Sequence, residues 1–262
     1  MVAQSGRSSL FLTAGASVCA LVGVALWSVF GPTETASAPS VALATMQGAD
    51  EDVGMLVNTI AARAEGASSM PIEDIGPMVV GTLATQYSVL KEQGLYTPET
   101  GAALAEQMAE AVRAPVTYKH YSVSDLHLSN TTSYDDMLAY RAKLRDALAP
   151  LVKNKEPEIG IFAGYVESRD PKYLDMLRAV AADYQAAINA AAKLTVPREA
   201  AVEHAGILNA MGQFGATLAA LADNAEDPIT STALLQTYNE GEQNMVTSFN
   251  NLAMYYAHHP NP

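Results

Sequence analysis

The amino-acid sequence predicts an all-α protein with an N-terminal transmembrane helix, a flexible stalk and an extracytoplasmic antiparallel bundle of about six to eight helices. Two observations lead to this prediction. Residues 10–30 contain no charged side chain, and apolar side chains recur at three- and four-residue intervals along most of the chain after residue 50. No segment shows the alternation of a β-strand. With 49% hydrophobic and 16% charged residues, the 262-residue chain has the composition of a folded protein.

The anchor is predicted from the length of the uncharged segment Leu10–Phe30. A helix of this length spans about 30 Å, which matches the hydrocarbon thickness of a bilayer. Arg7 is the only charged side chain before the segment, and Glu34 is the first one after it. By the positive-inside rule, residues 1–9 should be cytoplasmic and the chain beyond residue 30 should be extracytoplasmic. The predicted location is therefore the cell membrane, with a single span.

A cleaved signal peptide is the alternative to a retained anchor, and both interpretations export the rest of the chain. The apolar region of a signal peptide normally runs about 7–15 residues, which is shorter than this segment. Small-residue sites that suit a signal peptidase follow at Ala36–Ala38 and Ala42–Ala44, and Pro39 comes directly after the first. Residues 31–49 are rich in Pro, Ser, Thr and Ala, a composition typical of a flexible stalk.

Small residues recur every four positions in the predicted anchor, at Gly15, Cys19 and Gly23. This spacing lets two membrane helices approach closely, so it predicts a homodimer contact between anchors. The alternative is that small residues are simply frequent in membrane helices.

Residues 50–262 are predicted to form the helical extracytoplasmic domain, either as one body or as two subdomains that divide near residue 115. A first helix would bury Val53, Leu56 and Ile60. A second should end at Gly94, and a third should begin at Thr97-Pro98, where a capping residue precedes a proline in the first helical position. The apolar stripes of the second and third helices are Ile72, Ile75, Val79, Leu83, Tyr87 and Leu90, and then Leu104, Met108 and Val112.

The helical spacing resumes at Ser133, which forms a capping-box pattern with Asp136. Three long helices should then begin at Asp170-Pro171, at Thr195–Pro197 and at Asp227-Pro228. Because short connections separate these three helices, they should pack as antiparallel neighbours. The four stripes are Tyr134, Met137, Leu138, Leu144, Leu148 and Leu151; Tyr173, Leu177, Val180, Tyr184, Ile188 and Ala191; His204, Ile207, Leu208, Met211, Phe214, Leu218 and Leu221; and Leu234, Leu235, Tyr238, Met245, Phe249, Leu252 and Tyr256.

Charge and composition exclude several functions. The net charge is −13 and every acidic residue follows residue 30, so the exported part should repel nucleic acid and anionic lipid headgroups. Cys19 is the single cysteine and lies in the anchor, which leaves the helical domain without a disulfide or a thiolate metal site. We predict no catalytic residue, no cofactor and no metal site. His204 lies on an apolar stripe and is interpreted as a buried or capping histidine.

Residues 114–132 interrupt the helical spacing and carry a cluster of polar aromatic and titratable side chains. Side chains of this kind in a loop favour recognition, so we interpret five of them as a partner- or ligand-contact patch. The alternative is an ordered crossover whose tyrosines pack on the bundle. The five residues are Tyr118, His120, Tyr121, Asp125 and His127, and Lys119 lies among them.

Three sequence features beyond the anchor form a familiar combination. They are Tyr118–Asp125 (YKHYSVSD), Leu194–Pro197 followed by His204, and Asp227-Pro228 followed by Tyr238. Together they resemble uncharacterised single-pass helical envelope proteins of small-genome candidate-phylum bacteria, over residues 115–260. The resemblance implies an exported helical bundle, sometimes encoded near pilus or secretion components, and it assigns no catalytic residue.

The sequence therefore predicts a non-enzymatic, membrane-anchored envelope protein, a helical module that binds a protein partner or supports a surface or secretion assembly. The alternative is an exported sensor or small-ligand-binding helical domain, for which a pocket between helices is expected. An enzyme whose active site is assembled from scattered residues ranks third. The expected partners are the membrane, an envelope protein and a second copy of the chain, with no nucleic acid.

Overall fold

Helices make up most of the chain that the structure describes. The computed structural model describes residues 70–130 and 133–258. Short 3-10 segments lie at Ile72–Asp74, Val123–Asp125, Ala149–Lys153 and Arg198–Ala200. The predicted helical class is confirmed for these residues. The α-helices are α1 (Ile75–Glu92), α2 (Pro98–Ala111), α3 (Tyr134–Ala147), α4 (Glu158–Ser168), α5 (Lys172–Ala191), α6 (Ala201–Asp223) and α7 (Pro228–Ala257).

The N-terminal predictions concern residues outside the described range. They are the anchor over residues 10–30 with Gly15, Cys19 and Gly23, the stalk over residues 31–49 and the helix predicted around Leu56. Within the described residues, one helical stretch, Arg198–Asp223, is long and apolar enough to cross a bilayer. Because 61% of its apolar window is buried inside the protein, it has the character of a core helix and is weak support for a membrane span.

The described residues divide into two compact units. The large unit comprises residues 117–130, 133–223 and 240–258. The small unit comprises residues 70–116 and 224–239, so it combines α1 and α2 with the start of α7. No sequence feature indicates that the first part of α7 belongs with helices so distant along the chain.

Side chains that cap the helices define where several of them begin. The Thr97 hydroxyl accepts the Thr100 N–H at 3.2 Å, and the Thr100 hydroxyl accepts the Thr97 N–H at 2.8 Å, which completes a capping box at α2. The Asp227 carboxylate accepts the Ile229 N–H at 2.9 Å at the start of α7. Just beyond α1, Gly94 has a φ of +70°, a conformation that glycine adopts without steric cost. The predicted C-terminal end of α1 and the predicted starts of α2 and α7 are thus confirmed.

Two short strands were missed by the sequence prediction. Strands β1 (His127–Ser129) and β2 (Thr195–Pro197) pair in parallel within the large unit, with Leu128 opposite Val196. The expectation of no strand is wrong here, because three residues are too few to show an alternation. The expectation that Thr195–Pro197 opens a helix is also wrong, since this segment is extended and α6 begins only at Ala201.

Helices α5 and α6 pack as antiparallel neighbours. The Arg178 guanidinium donates a hydrogen bond to the Ala222 carbonyl at 3.1 Å, and the Ala191 carbonyl lies 3.2 Å from Nε2 of His204. These contacts join the start of α5 to the end of α6, and the end of α5 to the start of α6. The two helices are therefore antiparallel, as the short connection between them predicts.

Helix α7 runs antiparallel to α6 within the large unit. The Asn244 side chain donates to the Gln213 side chain at 2.9 Å, and Gly206 faces Ser248 at van der Waals distance. Helix α6 is thus covered by α5 and by α7. Its seven predicted core residues are all 1% exposed or less.

Some predicted core positions are wrong. Leu138 on α3 is 39% exposed, and Tyr87 on α1 is 42% exposed and stacks edge-on against Tyr96 at 4.7 Å. Tyr140, which the apolar spacing passed over, is only 2% exposed because its hydroxyl has a hydrogen-bond partner in the core.

The packing of α6 predicts the effect of removing a ring from its buried face. Phe214→Ala should lower the free energy of unfolding by about 3–5 kcal/mol, because Phe214 is fully buried and its loss leaves a cavity. Val202→Ala on the same helix removes a side chain that is 69% exposed and should change stability by less than about 0.5 kcal/mol. Urea titrations of both variants measure the difference, and equal losses would contradict this account of the core.

Candidate functional site

The segment that carries the predicted contact patch is held in place by Asn209 of α6. The Tyr121 N–H donates to Asn209 Oδ1 at 2.7 Å, and Asn209 Nδ2 donates to the Tyr121 carbonyl at 2.9 Å. Both backbone groups of one residue are therefore satisfied by a single side chain. We call residues 117–126 the crossover, since they lead from the small unit into the large one.

Tyr118 packs against α6 one turn further along that helix. A Cβ atom added at Gly212 would lie 2.9 Å from Cδ2 of Tyr118, which is closer than real Cβ contacts. Only glycine at this position lets the tyrosine ring rest on the helix. Burial raises the pKa of the Tyr118 phenol above its ordinary value. Its ring lies 4.4 Å from the ring of His120, centroid to centroid.

Part of the crossover faces solvent. Lys119 and His120 are exposed, whereas Tyr118 and Tyr121 are half-buried. The Lys119 ammonium lies 4.4 Å from the centroid of the Tyr121 ring, within the range of a cation–π interaction. The structure therefore brings together Tyr118, His120 and Tyr121, with Lys119 between them. The segment is an ordered crossover that also displays polar side chains, and the interpretation of these side chains as a contact patch stays a prediction.

Asp125 and His127 occupy a turn and a strand that follow these residues. The Asp125 carboxylate accepts hydrogen bonds from the Ser122 hydroxyl at 2.6 Å and from the Ser122 N–H at 2.8 Å. These bonds, with a smaller contribution from Lys119, lower the pKa of the Asp125 carboxyl. The carboxylate thus stabilises the 3-10 turn Val123–Asp125, while His127 is an exposed residue of β1 paired with Thr195.

His204 lies in the core of the large unit, where its two ring nitrogens are hydrogen-bonded. Nε2 lies 3.2 Å from the Ala191 carbonyl, which can only accept, so Nε2 carries the proton. Nδ1 then accepts the Tyr140 hydroxyl at 2.9 Å. Burial lowers the pKa of His204 to about 4, although the Ala191 carbonyl opposes this shift. The interpretation of His204 as a buried histidine is confirmed.

Sequence reasoning missed a buried glutamate at the start of α4. Glu158 is 3% exposed, and its Oε1 accepts the Tyr184 hydroxyl at 3.3 Å, while Oε2 has no hydrogen-bond partner among the described residues. Burial is the main cause that raises the pKa of Glu158, and Glu242 of α7 raises it further. Burial also raises the pKa of Glu242. Among the described residues, no group of three or more His, Cys, Asp or Glu side chains is placed to hold a metal ion.

The small unit contains an apolar groove with a volume of about 230 Å³. Three helices form it, with Val79 from α1, Met108 from α2 and Ile229 from α7 among the lining residues. The lining is apolar apart from Thr232. Because its walls come from segments more than a hundred residues apart, no local sequence pattern predicts this groove.

Asn209 and Gly212 were also missed, although the sequence holds a signal for them. Both lie on α6, a helix whose other residues are mostly apolar and buried. A short polar residue and a glycine three positions apart on such a helix indicate a line where another segment can approach closely. Neither the partner segment nor the hydrogen bonds to Tyr121 can be read from that spacing.

Comparison of the chain with protein-family models, with curated proteins and with solved structures found no match.

The environment of His204 predicts a pH-dependent loss of stability. The folded-state pKa of about 4 lies below the ordinary 6.5, so the unfolded chain binds a proton first as the pH falls. The contribution of neutral His204 to the free energy of unfolding is fully present above pH 6.5. It should be lost progressively as the pH falls to 4, by about 3 kcal/mol. His204→Gln cannot titrate, and we expect its free energy of unfolding to vary less across this window in urea titrations at several pH values. Equal pH dependence in the variant and the parent would contradict the assignment.

Proposed function

We propose that this chain is a non-enzymatic, membrane-anchored module of the cell envelope that binds a protein partner through the crossover. The observation that carries the proposal is a loop that is fixed to α6 at Tyr121 and that exposes Lys119 and His120. The role of Tyr118 and Tyr121 is to supply flat, half-buried aromatic faces beside these two residues.

The fixed backbone of the crossover favours binding because the loop has little conformational entropy left to lose when a partner binds. Immobilising a loop on binding costs free energy, and a loop already held in one conformation avoids much of that cost. Asn209 holds the main chain at Tyr121, and Gly212 receives the ring of Tyr118. Tyrosine is also enriched at protein interfaces, where its ring gives contact area and its hydroxyl gives a hydrogen bond.

The local charge of the crossover indicates what kind of partner surface it suits. The chain carries a net charge of −13, yet the exposed side chains beside the two tyrosines include Lys119 and His120. The Asp125 carboxylate is hydrogen-bonded to Ser122 and offsets part of the Lys119 charge. A partner segment with carboxylates or aromatic rings would complement this surface.

The anchor supports an envelope location for this interaction. Leu10–Phe30 has the length of a membrane span and follows Arg7, and by the positive-inside rule this pattern supports an extracytoplasmic position for the helical units. The sensor or small-ligand alternative has weaker support. The groove in the small unit, at about 230 Å³, is smaller than ligand pockets, which occupy roughly 300–1,000 Å³.

Site-specific photocrosslinking in native membranes tests the crossover. A photoreactive residue at Val123, which is 37% exposed, should capture a discrete partner, whereas the same residue at the exposed position of Lys143 should not. Adding Lys119→Ala and His120→Ala should reduce capture at Val123 by about tenfold, because these changes remove exposed contacts without touching the hydrogen bonds to Asn209.

Matched substitutions at Lys143 and Lys153, two exposed lysines outside the crossover, serve as the control and should leave capture at Val123 unchanged. Identical products at positions 123 and 143, or undiminished capture after the double substitution, would rule out the crossover as the contact surface.

Protease accessibility tests the topology. Protease added to spheroplasts should digest the helical units and leave a short fragment that retains an N-terminal tag, because only residues 1–9 would be cytoplasmic. A cytoplasmic protein probed in the same sample controls for lysis. Digestion that requires prior lysis would contradict the extracytoplasmic placement, and loss of the N-terminal tag from mature chains would indicate a cleaved signal peptide.

A further inference from the structure

The apolar groove of the small unit has the features of a second binding site. We propose that it binds an amphipathic helix of a partner protein whose apolar stripe is flanked by lysine or arginine. This site lies in a different unit from the crossover, so it does not depend on the function proposed above.

The apolar lining of the groove suits apolar side chains that project from a helix. Leu83 and Ile229 line the groove and are only half-buried, so part of their apolar surface remains in contact with water. Covering such surface removes apolar area from water, which is favourable. Helix α1 also has no charged residue between Asp74 and Lys91, which leaves a long uncharged flank beside the groove. An amphipathic helix laid in an apolar groove is a recurring mode of recognition.

The charges of the small unit determine which helix would be preferred. Acidic residues follow directly after two lining residues of α2, as Glu106 follows Ala105, and Asp227 directly precedes the lining residue Pro228. A partner helix with basic flanks would be attracted to this surface, since complementary charges speed association and select the partner. In the sequence, the residues of this unit include eight acids and two bases, namely Glu73, Asp74, Glu92, Glu99, Glu106, Glu110, Glu226 and Asp227 against Lys91 and Arg113.

The same charges argue against two other occupants. A second copy of this chain carries a net charge of −13 and would bring like charge to an acidic surface. The apolar stretch of this chain around Leu56 begins with Asp50-Glu51-Asp52, so its sequence likewise brings negative charge. A basic partner helix meets no such repulsion.

Binding of two designed peptides to the full chain in nanodiscs of neutral phosphatidylcholine tests the proposal. Both peptides are helical and share one apolar stripe, and they differ only in carrying lysine or glutamate beside that stripe. Fluorescence anisotropy at low salt should give the lysine peptide a Kd at least tenfold lower than that of the glutamate peptide. This preference should shrink at high salt, because exposed charges are screened. Empty nanodiscs measure binding to lipid alone.

Substitutions within the groove locate the binding. Ala105 lines the groove and is exposed, so Ala105→Trp should fill the groove without disturbing the core and should weaken binding of the lysine peptide at least tenfold. Ala142→Trp, on an exposed face of α3, is the matched control and should bind as the parent does. Glu106→Lys should reduce the preference for the lysine peptide, whereas Glu167→Lys on α4 should not.

Several outcomes would overturn the proposal. Failure of both peptides to bind, equal binding of the two peptides, or unchanged binding to Ala105→Trp would each reject it. Sedimentation that shows a dimer dissociated by Ala105→Trp would identify a second copy as the occupant instead. None of these measurements involves the crossover, so its proposed role stands or falls separately.

Discussion

Burial of α6 is the constraint around which the large unit is organised. This helix carries no charged residue between Glu203 and Asp223, and its apolar residues occupy most of its circumference. A helix that is apolar nearly all round must be covered on every side, and fully burying each large side chain is worth about 1.5–3 kcal/mol. Helix α5 covers one side and α7 another, both antiparallel to it. The crossover lies along a third line, over Asn209 and Gly212.

His204 and Glu158, two of the buried titratable groups of the large unit, show how differently a core accommodates polarity. Both ring nitrogens of His204 are hydrogen-bonded, so the neutral ring fits its surroundings and the cost arises only on protonation. Glu158 has a partner at one oxygen and none among the described residues at the other, so its ionised form is disfavoured. In each case burial is the main cause of the pKa shift. The shifted pKa values of His204 and Glu158 thus report a packed interior and are not by themselves a mark of chemistry.

Local sequence rules predict most of the helices, although not α4, and they predict the contacts between helices poorly. The caps at Thr97, Ser133 and Asp227 could be predicted because each depends on residues within one turn. The buried residues of α6 could be predicted because this helix is covered on most sides, so a stripe at almost any helical phase falls on buried positions. The exposure of Leu138 and the burial of Tyr140 could not be predicted in this way. The hydrogen-bond partner of the buried Tyr140 hydroxyl is a histidine 64 residues away. The hydrogen bonds between Asn209 and Tyr121 join residues that are 88 positions apart in the sequence. The groove is formed by three helices from both ends of the described chain.

The hydrogen bonds between Asn209 and Tyr121 have a consequence for how the exposed side chains of the crossover can change. They involve only the main-chain N–H and carbonyl of Tyr121 and do not depend on its side chain. Most residues offer the same N–H and carbonyl, so the exposed positions of the crossover can be exchanged while its path over the helix is kept. If the crossover binds a partner as proposed, its recognition side chains are uncoupled from the scaffold, in the manner of an antibody loop on its framework. The segment is therefore a suitable place to graft a new binding specificity without refolding the helices beneath it.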